Sequence, residues 1–345
     1  MNVSRTETFY FSFYPLSYPL FPFHYLYLRI ESREKTMTVK REIYYSETER
    51  RCEELFQREG PFWHLCTPGQ FTELLFETID DYRFIMNTIA IVAAVSKVKI
   101  ITFEVMSNHL HFIIKGSEAD CIIFFESIKK RLKRYYSSLG RYVGLSRFNC
   151  TPIPITDLRA LRIEICYVNR NGYVANNCHT PYSYPWGSGD LYWGKNLDTL
   201  SFTKYKDLPD LKKRMICKGR AASLPDYYIV SEDIILPTCY CSINTGMAMF
   251  RDAHHYFSLL SKNYEAYSEV AKRLGDAVVL PDEEMFAVLS LLSKKNYGGL
   301  RPTMLPVEDK IALAKTLRSN YNASQGQIQR MLRLDRALIA ELFGK

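Results

Sequence analysis

The amino-acid sequence predicts an α+β fold, in which an antiparallel sheet with helices is followed by an all-α extension. The first observation behind this prediction is a pair of β-branched and aromatic runs at residues 98–106 and 109–115, joined by a short Ser-Asn turn that indicates a hairpin. The second is the recurrence of apolar side chains at helical spacing from residue 246 onward. Separate strand-rich and helix-rich parts are typical of α+β proteins.

The elements on either side of the hairpin complete the first part. We expect a charged helix over residues 42–58, a short strand over 63–67, and a helix over 80–96 whose first turn carries acidic residues suited to a helix N-terminus. Helices over 118–139 and 155–171 follow the hairpin. The order strand, helix, strand, strand, helix, helix predicts an antiparallel sheet covered by helices.

The domain boundaries follow from these patterns. Residues 37–195 are expected to form the α+β domain, residues 196–245 a loop-rich connector, and residues 246–345 a helical domain. The helices expected in the last domain cover residues 246–262, 264–274, 282–296, 306–319, 324–332 and 335–343. The last three resemble a helix-turn-helix near residues 306–343.

The first 36 residues differ in composition from the rest of the chain. Residues 9–30 are apolar and aromatic, yet three prolines break any membrane-spanning helix there. No basic region precedes a small-residue cleavage site, which argues against a signal peptide. We interpret residues 1–36 as upstream sequence or a disordered leader, with Met37 as the start of the ordinary composition. Since no other membrane-spanning candidate exists, we expect a soluble, cytoplasmic protein with no membrane partner.

Composition narrows the class of protein. Hydrophobic residues make up 47% of the 345, which is enough for a packed core and excludes a disordered chain. The net charge of +8 permits a nucleic-acid partner without requiring one. The nine cysteines form no Cys-x-x-Cys pair, which favours reduced thiols over a disulfide framework or a zinc site.

Two histidines on the second hairpin strand form the candidate site. Side chains alternate along a strand, so His109 and His111 point to one face and can chelate one divalent ion. By itself this His-x-His pattern is weak evidence for a metal site, because two half-exposed strand histidines without a metal are the commoner explanation.

Three segments resemble a known family. Residues 103–114 read FEVMSNHLHFII and resemble the "VMPNHVHLLL" motif of single-tyrosine (Y1) transposases of the HUH superfamily, with Ser107 in place of the usual proline. Residues 167–176 read YVNRNGYVAN and residues 184–188 read YPWGS. These two segments are similar to the "YIxxNPVxAG" and "W-P-x-S" segments of the REP-associated members, with Gly172 in place of a proline. The resemblance covers about residues 60 to 190.

The resemblance implies a ferredoxin/RRM-like HUH fold with a nucleophilic tyrosine and a divalent metal, Mg²⁺ or Mn²⁺. Tyr167 matches the nucleophile, and Asn171 lies four residues later on the same helix face. His109, His111 and Asn171 would then hold the metal, a donor set compatible with Mg²⁺ or Mn²⁺ when a phosphate adds oxygens. The family also implies a homodimer in which hairpin strands of two subunits extend one sheet.

Other polar residues compete for these roles. Tyr173, Tyr182, Tyr184 and the Tyr135-Tyr136 pair are alternative nucleophiles, but only Tyr167 has an asparagine four residues later. His64, on the first strand, either approaches the site or is a structural polar residue, and we favour the structural role. Glu104 precedes the His-x-His turn, and on the wrong face it would simply be solvated.

A basic run on the helix after the hairpin is a candidate DNA-binding surface. A solvated helix face is the alternative, but the run is followed by two tyrosines that can stack on bases. Its residues are Lys129, Lys130, Arg131, Lys133 and Arg134.

The predicted helix-turn-helix is a second candidate DNA-binding surface. From Leu300 to the end, basic residues outnumber acidic ones. A plain helical bundle is the alternative. The candidate contacts are Gln327, Arg330 and Arg333.

Together these features predict a metal-dependent single-strand DNA endonuclease and strand transferase, a transposase that forms a 5′-phosphotyrosine intermediate. Its partners would be single-stranded or hairpin DNA, with duplex DNA bound through the C-terminal helices. One alternative is a domesticated DNA-binding protein of the same fold that no longer cuts. Another is a His-x-His metal-dependent nucleic-acid hydrolase, which would stay active after Tyr167→Phe.

Overall fold

A computed structural model describes residues 42, 44–67, 74–146, 148–175, 179, 183–194, 200–262, 264–274, 280 and 282–344. The chain divides into two compact units, residues 1–49 and 50–345. In the first unit residues 44–49 are helical, in agreement with the predicted charged helix, and the leader predicted at residues 1–36 lies outside the described residues. Both β-sheets and the helices from residue 50 onward belong to the second unit.

A four-stranded antiparallel sheet forms the centre of the α+β region. Its strands are β1 (Phe62–Cys66), β2 (Lys99–Val105), β3 (Leu110–Lys115) and β4 (Ile153–Ile155), in the order β2-β3-β1-β4. Every neighbouring pair is antiparallel. The predicted first strand and the hairpin are therefore confirmed. Strand β4 was not predicted, because three residues that include a proline leave no alternating pattern.

Four helices belong to this region. Their starts follow ordinary capping chemistry, since the hydroxyls of Thr78 and Ser117 accept hydrogen bonds from backbone N–H groups in the first turns of the second and third helices. Asp81 completes a capping box with Thr78. The helices are α1 (residues 50–59), α2 (Ile79–Val95), α3 (Glu118–Ser138) and α4 (Leu158–Ala175), close to the predicted ranges.

The sheet separates two apolar cores. Alternate residues of β3 point to opposite faces, so Leu110 and Phe112 pack with α2 and α3, whereas Ile113 packs on the side of α4. The second core also contains α1 and three helices from later in the chain. Those helices are α6 (Ile243–Met247), α7 (Ala253–Lys262) and α8 (Tyr264–Leu274). The single helix predicted over residues 246–262 is thus wrong, because the chain forms α6 and α7 there.

The predicted loop-rich connector contains regular structure. A second antiparallel sheet in the order β5-β6-β7 and helix α5 pack against the outer side of α2, around Ala90 and Ile91. The elements are β5 (Thr203–Lys204), α5 (Asp210–Cys217), β6 (Ile229–Ser231) and β7 (Ile234–Ile235). Strands of two or three residues are too short for hydrophobic periodicity to reveal.

The C-terminal helices form their own core. They are α9 (Asp282–Tyr297), α10 (Val307–Tyr321), α11 (Gln325–Leu332) and α12 (Arg336–Phe343), and they confirm the four helices predicted there. Short turns join the last three, and Asn322 and Arg333 take left-handed backbone conformations at the ends of α10 and α11. Among the described residues, no helix has the length and apolar character needed to cross a bilayer.

Candidate functional site

His109 and His111 lie side by side at the start of β3. Their ring centroids are 4.8 Å apart and their planes are at 82°. Two imidazoles bound at right angles to one ion at the usual metal–nitrogen distance have centroids roughly 4.5 Å apart. The two rings are therefore close enough for the chelation that the sequence predicts. His109 is half-buried and His111 is fully buried.

The hydrogen bonds of the two histidines favour one tautomer of each ring. Nδ1 of His109 lies 2.7 Å from Oδ1 of Asn108, which accepts a hydrogen bond from it. Nδ1 of His111 lies 3.2 Å from Nε2 of His64. With Nδ1 protonated on each ring, Nε2 carries the lone pair that a metal ion needs.

His64 is part of the site, and the purely structural role that we favoured from the sequence is incomplete. It lies on β1, the neighbour of β3, and its Nδ1 is 3.0 Å from Oε2 of Glu164 on α4. Burial lowers the pKa of His64, and the opposing effect of the Glu164 carboxylate is smaller. The neutral imidazole can donate from Nδ1 and accept at Nε2.

Tyr167 lies on α4 against these histidines. Its ring centroid is 5.5 Å from that of His111 and 6.1 Å from that of His64, and only 1% of the residue is exposed. Glu164 is one turn earlier and Asn171 one turn later on the same helix. The side-chain nitrogen of Asn171 is buried and has no hydrogen-bond partner. The structure thus brings Tyr167 close to His111 and His64, with Asn171 one helical turn further along α4.

Close backbone packing holds α4 on the sheet. Thr102 of β2 donates to Asn169, and the Tyr184 ring lies directly against Gly172. A Cβ atom at Gly172 would be 2.1 Å from Cδ1 of Tyr184, so only glycine fits. The Tyr184 hydroxyl donates to the carbonyl of Val105. Gly172 therefore has a packing reason, and Tyr184 has a structural role.

The remaining tyrosines do not compete well for the nucleophile role. Tyr135 and Tyr136 lie on the opposite side of the sheet, where their hydroxyls donate to Asp81 and to the Leu75 carbonyl. The expectation that these two rings stack on bases is wrong, because both are buried. Tyr182 and the side chain of Tyr173 lie outside the described residues.

Glu104 is buried, and the expectation of a solvated side chain is wrong. It pairs with His111 across the β2–β3 ladder, and its carboxyl is enclosed by Gly187 and Gly189. Burial, together with the nearby charge of Asp190, raises the pKa of Glu104 well above its usual range. Its Oε2 atom has no hydrogen-bond partner. Burial therefore favours the neutral form of this carboxyl.

Helix α8 covers the site. Arg273 forms an ion pair with Glu164, and the ring of Tyr267 lies 6.2 Å from that of Tyr167. The guanidinium of Arg170 lies 4.4 Å above the Tyr267 ring and binds Glu284 of α9 at 2.5 Å. The sequence did not predict these contacts, since they join segments about a hundred residues apart. Only Glu164, on the Tyr167 face of α4, left a detectable signal.

The candidate DNA-binding residues of α3 lie across the sheet from Tyr167, on the helix that packs in the other core. Lys130, Lys133 and Arg134 are exposed. Lys129 donates to Asn149, and Arg131 donates to the Cys217 carbonyl at 3.3 Å. The exposed residues are thus available for phosphate contact on that face.

The candidate residues of the C-terminal helices make intramolecular contacts. Gln327 forms a capping box with Ser324 and donates to the Leu280 carbonyl. Arg330 binds Asp282 through two nitrogens, and Arg333 is exposed at the end of α11. Binding of DNA by the first two residues would compete with these contacts.

No group of three or more His, Cys, Asp or Glu side chains is arranged as a metal site within the part of the chain that the structure describes. The predicted donor set contains only two residues of these types, since its third member is an asparagine. Comparison of the chain with protein-family models, curated proteins and solved structures gives no match.

Proposed function

We propose that this chain is a metal-dependent single-strand DNA nuclease and strand transferase of the HUH single-tyrosine type, with Tyr167 as the nucleophile. The observation that carries the proposal is the position of the Tyr167 ring, 5.5 Å from His111, which is itself 4.8 Å from His109. These residues come from a strand and a helix that are far apart in sequence. An antiparallel sheet with helices on both faces agrees with the ferredoxin-like fold of that superfamily.

Each residue has a defined role in this proposal. His109 and His111 offer ring nitrogens, and Asn171 offers an amide oxygen, to Mg²⁺ or Mn²⁺. The buried Asn171 side-chain nitrogen without a partner supports a role for the amide beyond packing. A bound divalent ion supplies positive charge that polarises the scissile phosphate.

The reaction balances without an external energy source. The Tyr167 oxygen forms a bond to phosphorus, and the bond between phosphorus and the 3′ oxygen breaks. The phenol loses its proton, and the departing 3′ oxygen takes up a proton. The product is a 5′-phosphotyrosine with a free 3′-hydroxyl. A second 3′-hydroxyl then reverses the step and joins strands, which makes the protein a transposase.

In this proposal DNA contacts the exposed lysines of α3, and the protein forms a homodimer. The β2 edge of the sheet bonds to its own chain, with Val105 donating to the Trp186 carbonyl and Ser188 donating to the Phe103 carbonyl. The expected pairing of hairpin strands between subunits would require these hydrogen bonds to break.

A second candidate function is a DNA-binding protein that no longer cuts. One observation favours it, since Tyr167 is almost fully enclosed beneath α8. A phosphate reaches Tyr167 only if α8 moves. A protein that never makes this movement would bind DNA and leave it intact.

Cleavage of labelled single-stranded oligonucleotides from the flanks of the protein's own gene tests the proposal. With Mn²⁺ or Mg²⁺, the wild-type protein should give a covalent protein–DNA band on a denaturing gel. Tyr167→Phe should lower its yield by roughly 10³-fold or more, since the variant lacks the attacking oxygen. Tyr192→Phe is the matched control, because Tyr192 is equally buried and donates its hydroxyl to a backbone carbonyl away from the histidines.

The outcomes separate the three functions. Loss of the adduct in Tyr167→Phe and with a chelator, but not in Tyr192→Phe, supports the proposal. Cleavage that persists in Tyr167→Phe without an adduct would favour the hydrolase. Binding without cleavage by the wild-type protein would favour the non-cleaving protein.

A further inference from the structure

Three buried polar side chains form a chain of hydrogen bonds that ends at His111, a member of the histidine pair. Glu164 of α4, His64 of β1 and His111 of β3 are each exposed by 1% or less. The distance from Glu164 Oε2 to His64 Nδ1 is 3.0 Å, and that from His64 Nε2 to His111 Nδ1 is 3.2 Å. Burial of three such groups costs free energy unless each hydrogen bond is satisfied.

The direction of the hydrogen bonds follows from the carboxylate. An ionised Glu164 has no proton to donate, so His64 donates from Nδ1 and has its lone pair on Nε2. That lone pair accepts a hydrogen bond from Nδ1 of His111. The lone pair of His111 is then on Nε2, and this nitrogen lies 3.9 Å from the Sγ atom of Cys66 on β1. Arg273 also forms an ion pair with Glu164.

The opposite tautomer would abolish the proposed metal site. If Nε2 of His111 carried the proton, the ring would offer no lone pair on that nitrogen. In His109 the hydrogen bond from Nδ1 to the neighbouring Asn108 favours the same tautomer, with the lone pair on Nε2. The more deeply buried of the two histidines therefore depends on residues from two other elements.

We propose that Glu164 and His64 are positioning residues, which hold His111 with its Nε2 lone pair directed at the divalent cation of the active site. The inference rests on the proposed function, and it gives a purpose to two buried polar residues that the proposed reaction does not use. Partners of this kind typically change metal affinity by about 10- to 100-fold when they are removed.

Three substitutions distinguish positioning from simple stability. Glu164→Gln can donate to His64 as well as accept from it, so it loses control of the direction. His64→Phe keeps a ring but has no acceptor for His111. His64→Gln retains an amide oxygen that can accept from His111 Nδ1, and it should rescue the function that His64→Phe loses.

The first measurement is the tautomer of His111 in the metal-free, full-length protein, by NMR of isotope-labelled histidine with the signal assigned through His111→Asn. We expect the proton on Nδ1 in the wild-type protein and a mixture or reversal in Glu164→Gln. A wild-type His111 protonated on Nε2 would overturn the inference. This result does not depend on DNA cleavage, so it can stand or fall separately from the proposed function.

The second measurement is the affinity for Mn²⁺ alone, by calorimetric titration. Glu164→Gln and His64→Phe should each weaken binding by about 10- to 100-fold, with His64→Gln and Tyr192→Phe close to the wild-type protein. Equal affinity in all variants, or no Mn²⁺ binding by the wild-type protein, would refute the positioning role. If His64→Phe fails to fold, Glu164→Gln and the wild-type tautomer still decide. Normal tautomers and affinities without DNA cleavage would instead contradict only the proposed function.

Discussion

At the scale of single residues, the contact between the sheet and α4 contains more buried polar groups than stability alone requires. His64, His111 and Glu104 point from the strands into this contact, and Glu164 meets them from the helix. Apolar residues of similar volume usually stabilise a core at least as well. The proposed function would account for the cost of burying these groups.

Glu104 gives the first prediction at this scale. Its pKa is raised in the folded protein because the carboxyl is buried and lies near Asp190. The folded state thus keeps a proton that the unfolded state loses near the ordinary pKa of 4.5. The free energy of unfolding should fall as pH rises above that value, by about 1.4 kcal/mol per pH unit until the folded-state pKa is reached.

Replacement by an amide tests this reasoning. Glu104→Gln keeps the neutral shape, so its stability relative to the wild-type protein should increase with pH. Urea unfolding at several pH values between mildly acidic and mildly alkaline conditions measures the difference. Glu126→Gln, an exposed carboxyl on α3, is the control and should follow the wild-type protein. Parallel pH curves for wild type and Glu104→Gln would show that Glu104 is ionised in the folded state.

The sequence predicted only part of the site. The His109–His111 pair follows from strand alternation, and Tyr167 follows from its motif, so local patterns were sufficient for both. His64 and Glu164 are 100 residues apart, and their contact depends on which strand lies beside β3. Local spacing carries no such information. The position of Glu164 on the Tyr167 face of α4 was the one usable signal.

At the scale of elements, success followed length. The helices other than α5, α6 and α7, together with the β2–β3 hairpin, were predicted because several turns or alternations were visible in each. Strands β4 to β7, each of two or three residues, were missed for the opposite reason. The break between α6 and α7 was missed because apolar residues continue through it.

Gly172 provides a prediction for an element, since it fixes how closely α4 approaches the 184–188 segment. Alanine normally favours a helix over glycine by about 1 kcal/mol. Here the added Cβ would overlap the Tyr184 ring, which is buried and hydrogen-bonded. Gly172→Ala should therefore lower the free energy of unfolding by about 1–3 kcal/mol.

Two controls make this prediction specific. In Gly326→Ala of α11 the added Cβ would lie 3.2 Å from an Arg330 side-chain nitrogen and 4.0 Å from the Ser324 hydroxyl, with no ring or backbone in the way, and the change should be neutral or slightly stabilising. In a Tyr184→Ala background the cost of Gly172→Ala should largely disappear, as a double-mutant cycle in urea would show. An unchanged cost in that background would mean that another contact excludes the methyl group.

At the scale of the whole molecule, the sheet lies between the proposed chemistry and the exposed basic residues of α3. Tyr167 and the histidines lie on the α4 face, whereas Lys130, Lys133 and Arg134 lie on the α3 face. A single strand bound to α3 must pass an edge of the sheet to reach Tyr167. The sequence could not show this separation, because it does not indicate on which face of the sheet each helix packs.

The charge of α3 leads to the last prediction. If DNA crosses this helix, Lys130→Ala combined with Lys133→Ala should weaken binding of single-stranded DNA and lower the salt dependence of log Kd by about 1.4, roughly 0.7 for each lost phosphate contact. Lys294→Ala with Lys295→Ala removes the same charge from the exposed end of α9 and should leave both quantities unchanged. Fluorescence anisotropy over a range of salt concentrations measures binding by both double variants.

Equal losses in the two double variants would indicate a general effect of net charge, and no loss in the α3 pair would place the DNA elsewhere. A loss confined to the α3 pair, with the yield of covalent adduct restored at saturating DNA, would assign α3 to binding and leave the chemistry to Tyr167 on the other face.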